Sequence, residues 1–147
     1  MRQLQPEGDD IHVRLADVAK RCDKLATCPP VLVVDANPPT DPGVYAFFTK
    51  EDCPCYVGRT SNLRRRIQQH RRGNGRSGHL PATIERHDDG TQIGEAKRRV
   101  RAMTVRWVVV KEDDHGVRQA LLELYAAVQL PTLLAPEKGR YNTFENH

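Results

Sequence analysis

Between Gly43 and His70 the chain reads GVY, ten further residues, YVG and then RTSNLRRRIQQH. Two tyrosines, Tyr45 and Tyr56, stand on short apolar segments, and an arginine-rich segment follows at once. These residue types suit cleavage of a phosphodiester, which needs a base for the attacking water, positive charge on the phosphate and a metal or acid at the leaving oxygen. A tyrosine at its reference pKa of about 10 is ionised about one part in a thousand at pH 7. Lowering it by two units asks for about 2.7 kcal/mol of preferential phenolate stabilisation, within reach of a close arginine or metal-bound water. Tyr56 is a possible base, with Tyr45 positioning water or sharing the proton. The residues alone do not rank the two, and either could do no more than hold a hydrogen bond.

The electrostatic setting fits a polyanion. From Cys53 to Ile84 there is no Asp or Glu, while Arg59, Arg64, Arg65, Arg66, Arg71, Arg72 and Arg76 all fall in that span. The plainer reading is a solvated helix face. Thr60, Ser61 or Asn62 can cap a helix whose inward stripe is Leu63 and Ile67. At about 100° per residue, Arg66 and His70 then lie on one border of the stripe, and Arg65 and Arg72 point away. Arg66 can offer a planar fork to a non-bridging phosphate oxygen, which Lys cannot copy. RGNGRSGH, 72 to 79, reads as a mobile basic loop in which His79 could touch DNA.

The surrounding pattern must position these groups. IHVRLADVAKRCDKL, 11 to 25, has loosely helical apolar spacing and is ended by Cys28-Pro29-Pro30. VLVVD, 31 to 35, suits a strand, and NPPTDPG is a rigid connector. GVYAFFT, 43 to 49, and CYVG, 55 to 58, make an antiparallel hairpin across KEDCP. IERHDDGTQ carries no pattern; a helix is expected over 93 to 101, and MTVRWVVV, 103 to 110, as a central strand with Trp107 in the core. DDHG supplies a turn and cap for a helix over 117 to 130, with a core stripe of Val117, Ala120, Leu121, Leu124 and Val128. Glu123 then sits about 120° from the centre of that stripe, placed to border a cleft. Pro131 ends the helix, and an irregular tail containing Asn142 follows.

Taken together, GVY, YVG, the T-x-N-L-x-x-R-I-x-x-H run from Thr60 to His70, Glu123 in an apolar helix and Pro131 through Tyr141-Asn142 resemble the GIY-YIG nucleases. The resemblance covers 43 to 144. It implies a small α/β (α+β) domain, an antiparallel sheet of about three strands flanked by helices, that cleaves phosphodiester bonds with one divalent metal. Tyr45 and Tyr56 fall on the two motif tyrosines, Arg66 on the helix arginine, Glu123 on the metal ligand and Asn142 on the late asparagine. His70 could assist the phosphate or leaving group, or be a packing histidine. With one protein carboxylate, Mg²⁺ or Mn²⁺ would keep most of its waters. Arg59 departs from the lysine of many relatives, which favours a tyrosine base over a lysine one. The long segment before Asn142 and the Cys53-Pro54-Cys55 turn also depart from the pattern.

Composition bounds the rest. At 147 residues, 38% apolar and 29% charged, with a net charge of +4, the chain suits one soluble domain. Residues 1 to 40 are expected as an N-terminal extension, a short helix and possible strand packed on a nuclease domain over 41 to 147. No apolar run reaches the roughly 20 residues of a membrane helix, and the N-terminus lacks a signal core, which points to the cytoplasm. Cys22, Cys28, Cys53 and Cys55 have poor zinc spacing and are expected as reduced thiols. The expected activity is a metal-dependent endonuclease on DNA, with a homodimer or partner protein supplying specificity. The alternative is an inactive nucleic-acid-binding or assembly module on the same fold.

Overall fold

The computed structural model describes residues 11–73, 78–88, 90–112 and 115–130. In chain order the elements are α1 (Ile11–Thr27), β1 (Val31–Leu32), a 3-10 turn (Val33–Asp35), β2 (Gly43–Phe48), β3 (Pro54–Thr60), α2 (Leu63–Arg72), α3 (Leu80–His87), α4 (Ile93–Arg101), β4 (Thr104–Val109) and α5 (Val117–Gln129). The four strands form one antiparallel sheet in the order β1-β4-β2-β3. The small antiparallel sheet flanked by helices is thus as expected, with β1 added at one edge. VLVVD gives only two strand residues, because Val33–Asp35 turns away into the 3-10 helix.

Strand β2 is buried along its whole length because both faces of the sheet are covered. Side chains alternate between faces with a period of two. Tyr45 and Phe47 join Leu63 and Ile67 of α2, Leu80 and Ile84 of α3, and Ala96 and Val100 of α4. Val44, Ala46 and Phe48 pack on the other face against Val18, Cys22 and Leu25 of α1 and Leu122 and Ala126 of α5. Burying each such large side chain contributes about 1.5–3 kcal/mol. Between Phe47 and Phe48 the β2–β3 register slips. Cys55 and Tyr56 consequently both join the Tyr45 side of the core, as an extra residue in one strand allows.

Three expectations are corrected. The patternless segment begins within α3, a helix of 8 residues from Leu80 to His87 with Pro81 in its first turn. The stripe of α5 is rotated: Leu122, Glu123, Ala126 and Ala127 are buried, whereas Val117, Leu124 and Val128 are exposed by 37%, 49% and 67%. Apolar residues surround most of this helix, so spacing alone did not select the inward face. Its N-cap is Gly116, with no side-chain capping bond. Trp107 is only half-buried, packed against the core. β4 does lie inside the sheet, between β1 and β2.

Arg106 interrupts the apolar run of β4 and is buried. Its Nε donates to Cys28 O at 2.8 Å, one guanidinium NH₂ pairs with Asp52 Oδ1 at 3.0 Å, and the group lies 4.2 Å from the centre of the Phe48 ring. It therefore ties the end of α1 to the β2–β3 turn. All four cysteines are free thiols, and burial pushes the Cys55 thiol up to about 12. Among the described residues no helix is long and apolar enough to cross a membrane.

Candidate active site

Close backbone approach explains both motif glycines. Tyr45 pairs with Gly58 across β2 and β3, and a Cβ on Gly58 would fall 2.4 Å from Tyr45 Oη and 2.6 Å from its Cζ. A Cβ on Gly43 would fall 2.3 Å from Val108 O and 2.9 Å from Leu63 Cδ1. Tyr45 cannot retreat, since it is 1% exposed and held at its hydroxyl. Gly58→Ala is therefore expected to lower stability by about 1–3 kcal/mol, as overpacking does. Denaturant unfolding would read this, and an unshifted midpoint would show that the tyrosine can move.

Helix α2 follows β3 directly and carries Arg66 and His70. Asn62 caps it, its Oδ1 accepting from Arg65 N at 3.0 Å. Carbonyls of the proline-rich connector satisfy further first-turn groups: Leu63 N donates to Asp41 O, Arg64 N to Pro39 O, and Arg64 Nε to Pro38 O at 2.9 Å.

His70 is fully buried rather than on the border of its helix stripe. Its Nδ1 accepts from Leu80 N at 2.7 Å, and its Nε2 lies 2.7 Å from Tyr45 Oη. Burial, then the charge of Arg66 and of His79, holds its pKa well below the usual value, so the ring is neutral. A backbone N–H can only donate, so the ring proton is on Nε2 and is donated to Tyr45 Oη. The chain of donors thus runs from Leu80 through His70 to Tyr45. The Tyr45 and Tyr56 rings lie with centroids 6.3 Å apart, and interaction with Tyr45 acts to lower the Tyr56 pKa. The Arg66 guanidinium lies close enough for its charge to act on both tyrosines.

Burial raises the pKa of both phenols, and Arg66 acts against that rise. Tyr56 is the more exposed of the pair, at 9% against 1%. The charge of Arg66, more than the neighbouring Tyr45, favours its phenolate, while Glu123 opposes it. Tyr45, Tyr56, Arg59, Thr60, Ser61, Arg66 and Gln119 line one open cavity of about 320 Å³.

Glu123 stands one helical turn beyond Gln119 on α5, 3% exposed, with Oε1 3.3 Å from Arg59 Nε. Burial pushes its carboxyl up to about 7, with Arg59 pulling it down. Among the described residues there is no group of three or more His, Cys, Asp or Glu that could hold a metal. One carboxylate beside hydroxyl and amide oxygens is a hard donor set, which suits a mostly hydrated Mg²⁺ or Mn²⁺ and not the closed sulfur and nitrogen site of zinc.

The structure therefore brings Tyr45, Tyr56, Arg59, Arg66, His70 and Glu123 together. Arg65 and Arg72 are exposed as expected, while Arg64 and Arg71 are half-buried, with Arg71 reaching Val34 O at 3.4 Å. His79 is buried and caps α3, its Nδ1 accepting from Ala82 N. Arg76 and Asn142 lie outside the described residues. Sequence reasoning missed Gln119, whose position four residues before Glu123 was the available signal.

The family model of the GIY-YIG catalytic domain matches residues 41–125. A 47-residue stretch, 32% of the chain, is 45% identical to UvrABC system protein C of Deinococcus radiodurans and spans 8% of that protein. Among solved structures, the GIY-YIG N-terminal endonuclease domain of UvrC from Thermotoga maritima, a point mutant bound to its catalytic divalent cation, has 20% identity and a TM-score of 0.45, covering 86% of this chain and 96% of that one. The same domain bound to magnesium has 17% identity and a TM-score of 0.42, covering 84% and 98%. With the family match spanning more than half its length and both half-motifs in place, the chain belongs to the GIY-YIG family.

Proposed function

We propose that this protein is an endonuclease that hydrolyses DNA phosphodiester bonds with a single divalent cation, Mg²⁺ or Mn²⁺. The observation that carries the reading is one cavity lined by Tyr45, Tyr56, Arg59 and Arg66, with Tyr45 held at its hydroxyl by His70 and Glu123 alongside on Arg59. Tyr56 takes the proton of the attacking water. Tyr45 supports the phenolate, and His70 fixes Tyr45; because Nδ1 faces a backbone N–H, His70 acts as a donor and not as the base that deprotonates Tyr45. Arg66 now donates to Gln69 Oε1 at 3.0 Å and to Gly78 O. It exchanges these for the non-bridging phosphate oxygens. A cation held by Glu123 would supply charge neutralisation at the leaving oxygen. Arg59 neutralises Glu123 until the cation arrives, and Arg65 and Arg72, with Arg64 and Arg71 at the margin, attract the DNA backbone. Residues 1 to 40 serve as an added layer on this unit, and the chain works in the cytoplasm.

Supercoiled plasmid incubated with the full chain in Mg²⁺ or Mn²⁺ is expected to be nicked, and EDTA to stop the reaction. Affinity should fall by roughly 0.9 log units per log unit of salt for each phosphate contacted. Binding that ignores salt would remove the arginines from the interface, and nicking in EDTA would remove the cation from the reaction.

A further inference from the structure

Gln119 shares the catalytic cavity with Tyr45, Tyr56 and Arg66, yet none of the roles above uses it. It rises from the same face of α5 as Glu123, one turn earlier. Its Nε2 donates to Val110 O at 3.3 Å, and Val110 is itself 1% exposed at the end of β4. That bond orients the side-chain amide. With the nitrogen committed to the strand end, the oxygen Oε1 is the atom left to face the cavity, and an amide oxygen only accepts.

We infer that Gln119 is a positioning residue for the cation: Oε1 accepts hydrogen bonds from the hydration shell of the divalent ion held by Glu123. The inference rests on the metal role proposed for Glu123. An ion with one protein carboxylate keeps most of its waters, so its placement depends on what those waters meet. A neutral acceptor is the suitable group here. A second carboxylate would tighten the ion, but it would also put a like charge beside a buried Glu123.

Mn²⁺ titration of the full-length protein, with the free ion read by electron paramagnetic resonance, tests this without any cleavage assay. Gln119→Leu should weaken binding by about tenfold, the scale found for groups that orient metal ligands. Gln119→Glu, of the same shape, should tighten it by a similar factor, and Glu123→Ala should abolish it. A purely structural Gln119 would instead lower the melting temperature of the Gln119→Leu protein, through loss of the Val110 bond, and leave its Mn²⁺ affinity unchanged. Should Gln119→Leu fail to fold, Gln119→Met, which keeps the length without the amide oxygen, is measured in its place. Unchanged affinity in the Gln119 variants, with binding still lost in Glu123→Ala, overturns the role of Gln119 and spares that of Glu123. Wild-type protein that binds no Mn²⁺, or binding that survives Glu123→Ala, overturns both.

Discussion

Tyr56→Phe is expected to reduce DNA cleavage by about 10²–10⁴-fold, the range for loss of a positioned general base, while leaving DNA affinity within about twofold. The ring stays in its packing and only the hydroxyl oxygen facing the cavity is removed. Tyr45→Phe acts differently. It removes the hydroxyl whose interaction holds the Tyr56 pKa down, and so moves the rise of rate with pH to higher pH. Rates measured from pH 6 to 10 for the two variants separate these roles. A Tyr56→Phe enzyme with wild-type turnover would transfer the base to another group.

Glu123→Gln is expected to change stability and activity in opposite directions. The folded carboxyl titrates at about 7 against an ordinary 4.5. At about 1.4 kcal/mol per tenfold change in acidity, the folded state loses about 3 kcal/mol by carrying the charged form. The sign follows from a raised carboxyl pKa: the loss is absent below pH 4.5, grows between 4.5 and about 7, and is complete above. Gln can still accept from Arg59 and has no charge to desolvate. In EDTA at pH 8 its melting temperature should exceed that of the wild type by on the order of 5–10 °C, and at pH 4.5 the two should coincide. Scanning calorimetry at both pH values checks this. For the wild type, a proton competes with the cation at Glu123, so activity at limiting Mn²⁺ should fall as the pH drops through about 7.

Some of this was legible in the residues and some was not, for physical reasons. The two half-motifs marked the hairpin because strand alternation and the glycines act locally, and Gly58 sits opposite Tyr45 by register alone. The capping of α2 was legible for the same reason. Burial of His70 was not, because α3 closes over it and that helix has no clear apolar period; the bond from Leu80 N is a tertiary contact. Glu123 was placed beside a cleft by helical angle, but on a stripe rotated from the real one. In α5 both Leu121–Leu124–Val128 and Leu122–Ala126 are apolar at helical spacing, and contact with the sheet and α1 decides between them. Gln119 carried only its spacing of four residues from Glu123, and its neighbours in space were needed to bring it into the site.

Tyr56, Arg66 and Glu123 are proposed to form one metal-dependent hydrolytic site. This is tested most directly by the initial rate of plasmid nicking in Mn²⁺ at pH 8, wild type beside Glu123→Gln, with circular dichroism confirming that both are folded. The account predicts nicking by the wild type and a rate lower by on the order of 10³-fold or more in the variant, since several kcal/mol of charge stabilisation leave with the cation. Equal rates in the two proteins, or no cleavage of plasmid, branched or single-stranded DNA by the wild type, would contradict it.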